Sequence, residues 1–157
     1  MRKVLLAVVL VLTGACSSAS KSGPPPGAAL PAPSGAVNAA GAASAKAAVE
    51  SFLTAVKNQD LQAMSMIWGT ENGLAREQMS RDDLEKRLVI MQCHLNHDSW
   101  SYASGLDGTT RIGEQDLRIE LRQKNLKEQT IVTAVRGKSG RWFVKNIDVS
   151  KLDGFCR

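Results

Sequence analysis

The sequence predicts an α+β domain in which three helices precede, and pack on, an antiparallel sheet of about four strands. Two observations carry that expectation. Apolar residues recur at helical spacing from about Ser44 to Leu95, and beyond Asn96 the period changes to two. A third observation sets where the domain begins. Residues 17–43 are built mainly from Ala, Ser, Gly and Pro, with all five prolines between Pro24 and Pro33, so they lack the bulky side chains needed to offset the entropy of folding. The folded part is expected over 44–157.

The first helix is read from Val49, Phe52, Leu53 and Val56 on one face, with Glu50, Lys57 and Asn58 elsewhere around it. Asp60 has the form of an N-cap for a shorter second helix that turns Leu61, Met64, Ile67 and Trp68 inward and ends at Gly69. Residues 70–79 read as a loop over Asn72-Gly73. Ser80-Arg81-Asp82-Asp83 has the form of a capping box and opens a third helix with Leu84, Leu88, Met91 and Leu95 on one stripe.

In the strand region Trp100 and Tyr102 share one face, Asp107-Gly108 marks a turn, and Leu117, Ile119 and Leu121 alternate with Arg118, Glu120 and Arg122. That alternation implies one dry face and one wet face. A further strand runs through Ile131, Val132 and Val135. Lys138-Ser139-Gly140 then turns the chain into a last strand from Trp142 to Val149.

At the other end of the chain, Arg2 and Lys3 precede an apolar run from Val4 to Leu12, the layout of an export signal and too short to span a bilayer. The stretch that follows, Leu12-Thr13-Gly14-Ala15-Cys16, resembles the lipobox of bacterial lipoproteins. The resemblance implies removal of residues 1–15, acylation of Cys16 as the new N-terminus, and residues 16–43 as a tether reaching on the order of 70 to 80 Å at the limit. Ordinary signal cleavage after Ser17-Ser18-Ala19 is the alternative. Ser17 after the cysteine favours, by resemblance to enterobacterial sorting, the periplasmic leaflet of an outer membrane.

The chain of 157 residues is long enough for one domain, and its formal charge of +5 falls to about +3 without Arg2 and Lys3. That is too little to argue for nucleic acid, and an exported protein seldom meets any. With Cys16 lipidated, Cys93 and Cys156 remain in a compartment that permits disulfides, and a bridge between them is expected, with two buried free thiols as the alternative.

The order of elements, with Trp68-Gly69 closing the second helix and Arg141-Trp142-Phe143-Val144 starting the last strand, resembles the nuclear-transport-factor-2-like domains of exported lipoproteins. That resemblance covers about residues 43–150. It implies a strongly bent sheet wrapped around a long helix, a cone-shaped cavity between them, and sheet-face homodimers in many members. Ketosteroid isomerases and polyketide cyclases of this fold use the cavity for proton transfer from inward strand positions, while other relatives only bind ligands or proteins.

Residues able to do chemistry are few. Cys93-His94-x-x-His97-Asp98 could offer His94 and His97 to a transition metal, although histidines at a helix C-terminus are also favoured by the dipole, and Cys93 has a disulfide partner to prefer. Tyr102 could donate a hydrogen bond in a cavity, with Asp116 or His97 as base, yet Tyr102 beside Trp100 reads more simply as core and Asp116 as solvated. No phosphate loop, nucleophile elbow or zinc-ribbon pattern is present, and no cofactor is implied. Between Arg111 and Lys145 nine basic residues face four acidic ones, most simply a solvated outer face and otherwise a surface for an anionic partner such as lipid headgroups or acidic glycans. The expected function is a lipid-anchored, non-enzymatic envelope module that binds a small apolar ligand or a protein partner. The alternative is a cavity enzyme of the cyclase or isomerase type.

Overall fold

A computed structural model of the protein describes residues 40–104 and 111–157. Helix α1 spans Ala45–Lys57, α2 Leu61–Ser65 and α3 Arg81–His94. Between α2 and α3 a hairpin of β1 (Gly69–Thr70) and β2 (Gly73–Leu74) leads into a 3-10 turn at Ala75–Glu77. Strands β3 (Ser99–Tyr102), β4 (Glu114–Gln123), β5 (Leu126–Arg136) and β6 (Trp142–Ile147) form one antiparallel sheet in chain order. A second 3-10 turn follows at Asp153–Cys156. The chain is therefore α+β, with three helices, a four-stranded antiparallel sheet and an additional two-stranded one. The signal over 1–15, Cys16, most of the tether and the Asp107-Gly108 turn lie outside the described residues.

Each helix starts where a side chain can satisfy its free amides. The Ser44 hydroxyl accepts from the Ala47 amide at 3.2 Å, the Asp60 carboxylate from Ala63 at 2.9 Å, and the Ser80 hydroxyl from Asp83 at 3.2 Å. At Ser80 the return bond runs from the hydroxyl to the Asp83 carboxylate, 2.8 Å, in place of a bond to the backbone. Helix α1 ends in Lys57, a cation at the negative pole of the helix, and Gln59 takes a left-handed φ of 56° to reverse the chain.

The core lies between the helices and one face of the sheet. Val49, Phe52, Leu53 and Val56 from α1 meet Leu117, Ile119 and Leu121 of β4, Val132 and Ala134 of β5, and Val144 of β6, all essentially inaccessible to water. On the opposite face a smaller cluster forms from Leu74, Val135 and Phe143, so the β1–β2 hairpin covers the sheet at its β5–β6 end. Strand β6 carries one extra residue, Lys145, opposite the step from Thr133 to Ala134. This bulge turns both Val144 and Ile147 into the core although they are three positions apart.

Three expectations need correction. The folded part begins before residue 44: Ala42 is buried and exchanges both backbone hydrogen bonds with Trp142, because the outer edge of β6 needs partners. For the same reason α2 stops at Ser65 instead of running to Gly69. The Ile67 carbonyl accepts from Val144 at 2.9 Å, which lays residues 67 and 68 along β6. Residues 70–79 are not a plain loop. Gly69 opens the hairpin, and the Gln78 side-chain amide donates to the carbonyls of Gly73 and Leu74 at 3.0 and 3.1 Å, closing it.

Candidate functional site

Tyr102 pairs with Ile119 and Trp100 with Leu121, so both aromatic rings stand on the helix-facing side of the sheet. Their rings meet edge to face, 5.1 Å apart at 84°. The Tyr102 hydroxyl donates to the Lys46 carbonyl at 3.3 Å and to the Glu50 carboxylate at 3.4 Å, and the Lys46 ammonium sits 5.3 Å from the ring centre. These contacts bind β3 to the outer flank of α1. Tyr102 is thus engaged on an exposed rim of the core.

Asp116 pairs with Thr133 and accepts from its hydroxyl at 2.6 Å. It is three positions from Ile119 on β4, an odd separation, so it stands on the face away from Tyr102. His97 lies before β3, where α3 turns into the sheet. Five residues of near-extended chain, roughly 16 Å, separate it from Tyr102. The three residues that could have shared acid-base work are not brought together.

His97 is 4 % exposed. Its Nδ1 is 2.8 Å from the Leu95 carbonyl, which assigns that nitrogen as the donor and leaves Nε2 as a buried acceptor with no partner among the described residues. Burial pushes its pKa below the ordinary histidine value and outweighs the Leu95 hydrogen bond, with the nearby Lys57 charge acting in the same direction as burial and Asp98 opposing it. Lys57 itself donates to the Asp98 carbonyl at 2.8 Å. His94 is the last residue of α3, and its Nδ1 lies 3.4 Å from the Leu152 carbonyl and 3.8 Å from an Asp153 carboxylate oxygen. The two histidines are turned to different partners. Among the described residues no three His, Cys, Asp or Glu side chains are placed to share a metal ion.

Cys93 and Cys156 are bridged, with Cα atoms 4.8 Å apart, so α3 is tied to the 3-10 turn after β6. The outer face of the sheet carries ion pairs. Glu120, on the wet face by alternation, is only 8 % exposed because Arg122, Lys127 and Gln129 fold over it. Burial alone would raise its pKa, and the hydrogen bonds from those three side chains reverse that and hold it below the ordinary value. Lys145, on the bulge, donates to Glu114 at 2.5 Å and sits 3.3 Å from Glu71; the bond to Glu114 raises its pKa against the opposing effect of burial.

The feature that sequence reasoning missed is on α3. Val89 and Ile90 are 47 % and 56 % exposed on a helix whose one fully buried side chain is Leu88. They stand beside Lys86, Glu85 and Asp82 over an open groove. A second groove of about 370 Å³ continues from Val89 past Gln92 and the disulfide to Phe155. A cleft of about 260 Å³ lies on the other flank of α3, between it and α2, where Leu61, Leu84 and Leu88 meet Arg81 and Glu85. The signal was available in the run Leu88-Val89-Ile90-Met91, since four consecutive apolar residues cannot all lie on one helical face.

Compared with known protein families, curated proteins and solved structures, the chain matches none.

Proposed function

We propose that this chain is a lipid-anchored cell-envelope protein, held by an acylated Cys16, whose nuclear-transport-factor-2-like domain is a non-enzymatic module that binds a protein partner through α3. The exposure of Val89 and Ile90 carries this reading. Two adjacent branched side chains on an outer helix, bordered by charged residues and continued by a groove along the disulfide, have the make-up of a protein contact with an apolar centre and a polar rim.

Two further points support it. The space between α1 and the sheet, where relatives of the proposed family hold a cavity, is filled by Phe52, Leu53, Leu117, Ile119 and Leu121. Proton transfer needs an acid and a base converging on one closed pocket, whereas Tyr102 and Asp116 stand on opposite faces of the sheet. A small apolar ligand fits less well than a protein, because the grooves along α3 lie open to solvent and would leave much of such a ligand uncovered. Ser17 after the anchored cysteine favours the periplasmic leaflet of an outer membrane.

Mass spectrometry of the protein isolated from membranes tests the anchor. A diacylglyceryl-modified Cys16 as first residue is expected, and an unmodified or later first residue overturns it. A photo-crosslinker placed at Ile90 in intact envelopes tests the docking face. One defined adduct, lost on Val89→Asp and not formed from a crosslinker at Lys151, is expected; adducts of equal yield from both positions overturn the assignment.

A further inference from the structure

One end of the sheet gathers features that the α3 surface does not use. Ile112 is completely exposed, at 105 % of its reference area, between Arg111 and Gly113 just ahead of β4. The Gly113 carbonyl accepts from the Arg136 amide at 2.8 Å, fixing this segment against the end of β5. In the turn between β5 and β6, Lys138 and Ser139 are exposed, and the Arg136 guanidinium donates back to the Gly140 carbonyl at 3.4 Å. Arg141 then donates to the carbonyls of Ala40 and Gly41 at 3.3 and 2.6 Å. The chain therefore enters the fold from its N-terminal side at this same end, beside Ile112 and the turn.

The charge here has a cationic excess. Arg111, Arg136, Lys138, Arg141 and Lys145 stand against Glu71, Glu77 and Glu114, and Lys145 already pairs with both Glu71 and Glu114. An exposed branched side chain bordered by Arg111 and, across the end of β5, by Arg136 suits a surface that is negative outside and apolar beneath.

We propose that this end of the sheet docks on an anionic lipid bilayer, with Ile112 entering the headgroup region and Arg111, Arg136 and Lys138 meeting lipid phosphates. The proposal rests on the anchoring reading, since an acyl group at Cys16 would deliver Ala40, and with it this end of the domain, toward the membrane first. Each cation near such a surface strengthens binding by about fivefold at low salt. That is weak for a free domain. A tether of some two dozen residues holds the local concentration near the millimolar range, where weak contacts of this kind are populated.

Vesicle sedimentation tests it, using the chain from residue 16 onward with Cys16→Ser, so that neither lipid nor the apolar run Val4–Leu12 contributes. Binding to vesicles of 30 % phosphatidylglycerol in phosphatidylcholine is expected at low salt, with loss at 0.5 M salt and none to phosphatidylcholine alone. Arg136→Glu with Lys138→Glu should lower the partition coefficient by roughly tenfold to a hundredfold. Ile112→Ser, at a position too exposed to affect folding, should lower it about threefold or more. Lys151→Glu, beyond the opposite end of β6, should leave it within about twofold. No binding at low salt, binding indifferent to lipid charge, wild-type binding by the double variant, or binding only to a soluble acidic polysaccharide would each overturn the proposal. An acylated Cys16 found in cells together with no vesicle binding leaves the anchor standing and removes the docking surface; vesicle binding with an unmodified N-terminus does the reverse.

Discussion

Cys93 on the last turn of α3 is bonded to Cys156, in the 3-10 turn that follows the sheet, across 63 positions of sequence. Helix α3 otherwise leans on α2 and the two 3-10 turns, with Leu88 its one fully buried side chain, so the bridge supplies much of what fixes its C-terminal half. Closing a loop of this length removes entropy from the unfolded chain worth about 4 kcal/mol. Replacing both cysteines by serine is expected to lower Tm by on the order of 15 °C in calorimetry. A reductant should produce a comparable drop in the unaltered protein and no change in the double variant.

A second expectation concerns Gly69, where the hairpin folds back on itself. A Cβ at this position would lie 2.5 Å from the Gly73 carbonyl oxygen, a backbone atom that cannot step aside without breaking the β1–β2 pairing. Gly69→Ala is therefore expected to destabilise the domain by about 1 to 3 kcal/mol, as overpacking does elsewhere. Urea denaturation would show a lower midpoint. Trp68 directly precedes Gly69 and its carbonyl accepts from the Ala75 amide at 3.0 Å, so tryptophan fluorescence should shift as well.

The pH dependence of stability should carry the mark of His97. Its pKa is lowered in the fold, so the folded protein holds the ring neutral while the unfolded chain protonates it near the ordinary value of 6.5. The unfolded state then binds more protons just below 6.5, and stability falls as the pH drops from there toward the lowered folded value. Above 6.5 the contribution is complete. The charged groups nearest the ring are Lys57 at the end of α1, which disfavours protonation, and Asp98, which favours it. Urea midpoints at pH 7.5 and 5.5 should separate in the wild type and separate less in His97→Gln. Equal separations in both would assign the effect elsewhere.

The elements that read most plainly from the sequence are those whose partners are local. Asp60 and Ser80 accept from amides three residues ahead as helix caps, and Leu117, Ile119 and Leu121 face the core by simple alternation. What escaped depends on distant pairing. The stop of α2 at Ser65 is imposed by Val144, which needs the Ile67 carbonyl, and the bulge at Lys145 is visible only once β5 and β6 are aligned. Glu120 reads as solvated until Lys127 and Gln129 of the next strand close over it. The Cys93–Cys156 bridge was expected only on the premise that Cys16 is lipidated, with two free thiols as the alternative, whereas the separation of Tyr102 and Asp116 required knowing which face of the sheet the helices cover.

The last prediction separates the contact face of α3 from its structural face. Leu88 is 2 % exposed and belongs to the core, so Leu88→Ala should cost about 2 to 5 kcal/mol through lost burial and the cavity left behind. Val89 and Ile90, next in sequence, point into water and contribute little to the fold; Val89→Ser with Ile90→Ser should change stability by no more than about 0.5 kcal/mol per site. Helix propensity adds only a few tenths of a kcal/mol, since both valine and isoleucine are themselves poor helix formers. The same double variant should abolish the adduct formed by a crosslinker at the flanking position Lys86, because an apolar contact centre cannot tolerate two hydroxyls without desolvation cost. Calorimetry together with crosslinking yield gives the decisive comparison. A double variant that unfolds as readily as Leu88→Ala would make Val89 and Ile90 packing residues, and one that keeps both stability and adduct would remove α3 as the docking face.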